Sequence, residues 1–543
     1  MKKDIQDLIR NLIKDCLKDI CPEGFEIILD IPQDERFGQL SSNVGLRLAK
    51  QLKKSPLEIA SSLARKIQEK LPSSELSGLI EKVQVAPPGF LNFYFSVGFL
   101  SSFVYGAVSQ GKAFLRRDRA HKQKVLIEFV SANPTGCLSV AHARQAVVGD
   151  VLANILEFTG FDVTREYYLN DEGNQINILG ASVGLRLKEL NGEKIDFPED
   201  YYQGDYIVDI ARQVKENNIN TAGLGDFAGN YILDIIKKEL DDFGVKFDVW
   251  YSQKSLRLSG KIEEAFALLK EKGSLYEKEG ALWFSSTNFG DDKDRVVVKS
   301  DKSMTYLAPD IAYHLDKYRR GFKLLINLWG PDHHGYINRL KASVAALGND
   351  PKTLSIIIVQ LATIFRAGKP VQMSTRKGQY ITLREVLDEV GIDASRFFFI
   401  MRRVSSHLDF DLEIAKKQTP ENPVYYVQYA CARISSILRS AAEKQEISPD
   451  ILSLLKEPEE LLLMAKLWQF LCILDICCYS QDPYLITVYL QELAESFHKF
   501  YDRHRVLCED EKLSCARLAL IKAVRVVLAA GLELAGVSVP EKM

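Results

Sequence analysis

The run KVLIEFV-SANPTG-CLSVAHAR, residues 124–144, passes from an apolar strand through a turn into a helix. Lys124 to Val130 is an almost unbroken apolar stretch with one carboxylate, Glu128, in it, the pattern of a strand buried on both faces. Asn133-Pro134-Thr135-Gly136 supplies turn residues, and Ser139 opens an amphipathic helix that Gly160 stops. Two more apolar strands behave alike. Lys323 to Trp329 ends in Gly-Pro and leads to a helix stopped by Gly348. Leu354 to Gln360 leads through a loop to a helix capped by Thr382 and Glu385. Such alternation predicts an α/β fold around a parallel sheet, whose ligands bind at the carboxyl ends of the strands. A helix N-terminus there also favours phosphate oxygens.

Outward from this core, the flanks differ in kind. On the N-terminal side a helix with apolar residues from Ile5 to Ile20, an extended stretch from Phe25 to Pro32, a helix from Ser55 with Pro56 and Glu58 in a capping box, and a strand from Gly89 to Phe95 predict an α+β unit over residues 1–105. The basic stretch from Gln110 to Lys124 reads as a linker. The central α/β domain is expected over 120–405, with a hairpin-rich insertion at about 275–305. Residues 411–543 are almost wholly helical in pattern and predict a bundle. The apolar window from Leu461 to Cys478 contains Lys466, Gln469 and Asp475, so it is expected to be a core helix and not a membrane span.

Charge and cysteine bound the function. Lys plus Arg number 70 against 72 Asp plus Glu, so a nucleic-acid partner would have to be drawn by local basic faces. Nine cysteines form no metal-ligand spacing, and the N-terminus has no apolar signal core; a reduced, cytoplasmic protein without a metal site is expected. Glu128 needs a cation or good donors if it is buried, and the strand alone favours an internal salt bridge. A lone His142 at a helix start is by itself more often structural.

The run from Ser131 to Arg144 resembles the HIGH region of class I aminoacyl-tRNA synthetases, specifically the arginyl family, and Arg165-Glu-Tyr-Tyr-Leu-Asn-Asp-Glu-Gly-Asn-Gln-Ile176 is similar to the block that follows it in bacterial members. The resemblance implies a Rossmann-like catalytic domain that joins L-arginine to tRNA(Arg) in two steps, through an arginyl-adenylate formed from ATP with Mg²⁺ on the phosphates. His142 fits the second histidine of the motif. Ser139 stands at the first histidine and Ala141 at the glycine against which adenine lies, both departures. Gly368-Lys-Pro-Val-Gln-Met-Ser-Thr-Arg-Lys-Gly378 resembles the KMSKS loop: Met373, Ser374 and Arg376 align, Gln372 and Thr375 replace common lysines, and Lys377 is displaced by one. Arg376 and Lys377 are expected to share the charge on the leaving pyrophosphate; an exposed basic turn is the bland alternative. Trp329-Gly-Pro-Asp-His-His-Gly-Tyr336 is similar to an arginyl-family block, which implies Gly330 beside adenosine and Asp332 on the ribose, against a competing metal reading of Asp332, His333 and His334.

The resemblance further points to Glu128, Asn133, Tyr306 and Asp310 as the arginine site. A guanidinium fork wants carboxylates and oriented acceptors, and Glu128 would then be waiting for a cationic ligand. Pro309 replaces a residue that is usually basic. Phe90 and Asn92 match positions that touch the tRNA elbow; Tyr426, Tyr429 and Met543 match anticodon-facing positions of a helical anticodon-binding domain. Strand packing for Phe90 and core packing for the tyrosines are the alternatives. Related enzymes usually require bound tRNA before activation. A monomer without membrane association is expected. Rival readings are a small-molecule nucleotidyltransferase, a class I synthetase for another amino acid, and a catalytically impaired tRNA-binding relative, the last raised by Ser139, Ala141 and Thr375.

Overall fold

Five parallel strands build the centre of the molecule, in the order Leu354–Ile358, Leu324–Trp329, Lys124–Glu128, Asp162–Leu169, Val249–Ser252. The computed structural model describes residues 4–18, 24–117, 122–371, 381–441 and 447–543. The chain runs outward from Lys124–Glu128 to one edge and then returns to lay Leu324–Trp329 on the other side of that strand. The reversal opens a crevice at the carboxyl ends of these two strands, the usual ligand position of such a sheet. Val125, Leu126 and Ile127 are completely buried, as the apolar run demands.

Immediately past the first strand, Val130 and Ser131 both adopt left-handed backbone, at φ 66° and 42°. For a buried β-branched residue this costs about 1–3 kcal/mol and persists only where neighbours hold it. Here Ser131 N–H donates to the Phe129 carbonyl at 2.9 Å, and Ser131 Oγ accepts from Tyr168 N–H at 3.1 Å. The turn then delivers the chain to the Val140–Phe158 helix, with Ser139 as N-cap. Buried Arg144 fixes that helix by donating to the carbonyls of Gln360 (2.7 Å), Ser406 (2.9 Å) and Arg403 (3.0 Å).

Several expected elements are shifted. Phe25 to Pro32 forms no strand, only an isolated bridge from Asp30 to Ser41; the N-terminal sheet is instead Leu40–Ser42, Phe90–Phe95 and Ile80–Ala86 in antiparallel order. Helix Val44–Leu52 carries no strong start signal, since its N-cap Asn43 makes no side-chain cap bond. The supposed linker begins as the end of helix Val97–Gln110 and continues as the short helix Lys112–Leu115, because Phe114 folds back on Phe103 at 5.2 Å. The Ser55–Glu58 and Thr382–Glu385 capping boxes are both present. Residues 275–298 do form a three-stranded antiparallel sheet.

The C-terminal helices Pro423–Ser440, Pro458–Ser480, Tyr484–Arg503 and Glu511–Leu534 pack on one another and receive helix Val97–Gln110. Pro458–Ser480 is long and apolar enough to cross a membrane, yet Leu463, Met464, Leu467, Phe470 and Leu474 are buried within the bundle. Arg117 bridges Asp4 at 3.0 Å and Asp475 at 2.7 Å, tying the first helix to this bundle. A second tie is buried Arg396: it pairs with Asp150 and donates to the carbonyls of Phe243 (3.0 Å) and Ala535 (2.9 Å). Gly536, at φ 67°, lies against its guanidinium, where a Cβ would collide.

Candidate functional site

At the mouth of the crevice, the start of the Val140–Phe158 helix is built around one imidazole. His142 Nδ1 lies 3.2 Å from Ser139 N–H, which must be the donor. Burial pushes the His142 imidazole down to about 4, against an opposing pull from Asp332, so the ring is neutral at pH 7. With Nδ1 accepting, the proton resides on Nε2. The serine at the first histidine position therefore orients the second. Ala141 is half-buried on the same first turn.

Gly330 ends the neighbouring strand and begins the short helix Pro331–Tyr336. A Cβ there would stand 2.6 Å from Asp332 Oδ1, so the glycine lets that carboxylate fold over the strand end. Asp332, His333 and His334 are exposed, with His333 Nε2 3.4 Å from Asp332 Oδ2. Met373, Ser374, Arg376 and Lys377 lie outside the described residues, as do Gln372 and Thr375. The chain returns at Thr382, which bridges to Ser139, while Leu383 N–H donates to Leu138 O at 2.8 Å.

Deeper in the crevice the groups are ionisable and wholly or partly buried. Glu128 is 6% exposed, and its Oε2 accepts from the Nζ of fully buried Lys317 at 2.5 Å. The salt bridge that the strand alone favoured is present, which corrects the picture of Glu128 as an open receptor: one oxygen is already taken. Among the described residues the other receives only a long bond, 3.3 Å, from Ser131 Oγ. Asp310 lies in the first turn of helix Leu307–Arg319. Burial pushes its carboxyl up to about 7, with Glu128 adding to the rise and Tyr336 and Lys317 opposing it. Tyr168 sits near both carboxylates; burial raises its hydroxyl, and Asp310 and Glu128 raise it further. Pro309 occupies the first helical turn, where a missing N–H costs nothing, so the backbone there is regular.

The other predicted arginine-site residues lie farther out. Tyr306 is 71% exposed at the N-cap of that helix, and Asn133 Nδ2 donates to Gln175 Oε1 at 2.5 Å. Sequence reasoning missed Lys317, although Asp310, Tyr313, His314 and Lys317 recur at the spacing of one helix face. It also missed Asn327, a lone amide in an apolar strand, which accepts from Lys317 Nζ at 3.2 Å.

Two peripheral surfaces complete the set. Phe90 is half-buried on the outer face of its sheet, but Asn92 is 2% exposed and its Oδ1 accepts from Ser41 Oγ at 2.7 Å. An amide displayed for a base is therefore corrected to one bonded inside the sheet. Tyr426 and Tyr429 do share a helix face: their rings lie 4.9 and 5.9 Å from His498. Tyr429 is exposed and its hydroxyl accepts from Arg433 at 3.0 Å, whereas Tyr426 packs against the core. Met543 is exposed at a cleft of about 450 Å³ shared with Asp393, Lys416, Tyr425 and Gln428.

Three family models match the chain in order: an arginyl tRNA synthetase N terminal domain over residues 4–95, the catalytic domain of class I tRNA synthetases (R) over 104–403, and a DALR anticodon binding domain over 427–543. An arginine–tRNA ligase of Citrifermentans bemidjiense is 46% identical over 563 residues, covering 100% of both chains. Another, of Geobacillus kaustophilus, is 46% identical over 95% of this chain and 94% of its own. The solved Thermus thermophilus arginyl-tRNA synthetase, 22% identical, superposes with a TM-score of 0.80 over 99% of this chain and 100% of that one. The impaired reading raised by Ser139, Ala141 and Thr375 finds no support in these matches.

Proposed function

The chain belongs to the arginyl-tRNA synthetase family, and from that premise we propose how its crevice divides the reaction among named residues. The enzyme uses ATP to charge tRNA with arginine. In the first step the arginine carboxylate attacks the α-phosphorus, and the bond to the β-bridging oxygen breaks to release pyrophosphate. In the second, a terminal ribose hydroxyl of tRNA attacks the adenylate carbonyl and AMP leaves.

His142 donates its Nε2–H to phosphate oxygens as charge builds on them. Being neutral, it gives a hydrogen bond without giving up its proton, and Ser139 keeps it aimed. Gly330 and Asp332 receive the adenosine, with Ala141 beside the base. Arg376 and Lys377, with Met373 and Ser374, answer the charge on the leaving pyrophosphate. Glu128 and Asp310 grip the guanidinium, with Asn133 and Tyr306 at the rim. Mg²⁺ bound with the nucleotide would neutralise phosphate charge. Phe90 stacks at the tRNA elbow, with Asn92 bracing its strand, and Tyr429, Tyr426 and Met543 meet the anticodon. Residues 1–105, 120–405 and 411–543 are the corresponding units of a monomeric cytoplasmic enzyme.

The observation that carries this reading is the neutral, serine-oriented His142 at the start of the helix that follows the Glu128 strand, with Glu128 near enough to Asp310 to raise its carboxyl. Arginine-dependent ATP–pyrophosphate exchange, with and without tRNA(Arg), tests it. Exchange should require arginine and tRNA and fall sharply in His142→Ala. Unchanged exchange in that variant would remove His142 from the chemistry, and an intact rate in Lys377→Ala beside a dead Arg376→Ala would end their shared role.

A further inference from the structure

Beneath the arginine pocket runs a closed chain of buried polar groups. Lys317 Nζ donates to Glu128 Oε2 and to Asn327 Oδ1. With its oxygen committed, Asn327 presents Nδ2 to His314 Nε2 at 3.0 Å, so that nitrogen accepts. His314 Nδ1 then carries the proton and donates to the Asp310 backbone carbonyl at 2.8 Å. Lysine sets the amide, the amide sets the imidazole tautomer, and the imidazole braces the turn that bears Asp310. The Tyr313 ring lies 4.1 Å from Lys317 Nζ, and its hydroxyl donates to Glu166, which Arg320 neutralises. That second acid therefore has its own cation.

We propose that Lys317 is a positioning and specificity residue for arginine recognition: it holds Glu128 by one oxygen, leaves the other to the substrate, and cancels one of two carboxylate charges, so that the empty pocket is matched to a single guanidinium. The inference rests on the reading that Glu128 and Asp310 receive the side chain of arginine. Two buried carboxylates facing each other without a cation resist ionising together. Once Asp310 has shed its proton the pocket carries one surplus negative charge, and an entering guanidinium leaves none unpaired, whereas a buried charge without a partner is strongly penalised. Lysine suits the buried end because its compact ammonium bonds both acceptors from a single atom.

The test is a charge-balance cycle of Glu128→Gln, Lys317→Met and the double variant, read as KM for arginine, KM for ATP and kcat in tRNA-supported pyrophosphate exchange. Lys317→Met should raise the arginine KM at least about tenfold, with the ATP KM and kcat within about twofold. Glu128→Gln should raise the arginine KM roughly a hundredfold, because Lys317 is then an unpaired cation facing the substrate. The double variant restores one net negative charge and should regain about tenfold over Glu128→Gln alone. A merely structural lysine would move both KM values together and give no recovery, and either result overturns the proposal. If Lys317→Met does not fold, Glu128→Gln against the double variant decides alone. Should Glu128→Gln leave the arginine KM unaltered, the arginine site itself has been misread and this inference goes with it.

Discussion

The two ends of the crevice are built on opposite electrostatic plans. At the deep end Glu128 and Lys317 are buried and paired, and half-buried Asp310 feels both charges. At the mouth His142 is neutral, while Asp332, His333 and His334 stand in solvent. A buried ionic site has met its desolvation cost during folding and waits for a ligand of one charge; a mouth of neutral donors tolerates charge that appears only in the transition state. The difference predicts that substitutions should separate cleanly, with the deep end moving arginine affinity and the mouth moving the chemical rate or ATP.

The largest effect should come from His142→Ala. Loss of one oriented transition-state donor costs about 3 kcal/mol, roughly a hundredfold or more in kcat, with the arginine KM little changed. A comparable rise in the arginine KM would break the division. Asp310→Asn comes next: the arginine KM should rise about a hundredfold while the ATP KM stays within about threefold. Equal losses would point to a folding defect.

The third prediction uses pH to sharpen the contrast. Asp310 in the empty pocket sits at about 7, raised chiefly by burial, so below that pH it is protonated and must shed a proton to meet a guanidinium. The arginine KM should therefore fall as pH rises through about 7, changing by about tenfold per unit on the acid side, and Asp310→Asn should abolish that slope. His142, at about 4, contributes no slope in this window. The smallest effect belongs to Asp332→Asn. Its exposed carboxylate should be worth only about 1 kcal/mol in the ATP KM, a change of several-fold measurable by initial rates.

What was legible in the sequence follows the same division. Strand–turn–helix at 124–144 announced the parallel sheet, because an apolar strand and a serine-started helix are local patterns. His142 and Asp310 could be named from motif blocks. The partner of Glu128 could not, because Lys317 lies 189 residues away and only the sheet's reversal brings that helix over the first strand. The chemistry on one face of the helix, at Asp310, Tyr313, His314 and Lys317, was readable by spacing and went unread, since a lysine on a helix is normally assigned to solvent. Asn92 was named by resemblance alone, and its bond to Ser41 on a neighbouring strand is again a distant partner that no local pattern announces.

The order in which a ribosome delivers the chain gives Arg396 one more significance. Its guanidinium meets Asp150 and Phe243, both already synthesised, but its third acceptor, the Ala535 carbonyl, emerges 139 residues later. Until then a cation destined for complete burial lacks one of its hydrogen bonds, and the helix layer behind the sheet stays open. Burial of this cation thus waits on a carbonyl 139 residues further along the chain, and a chain cut before residue 535 is expected to be digested faster than the full chain in limited proteolysis.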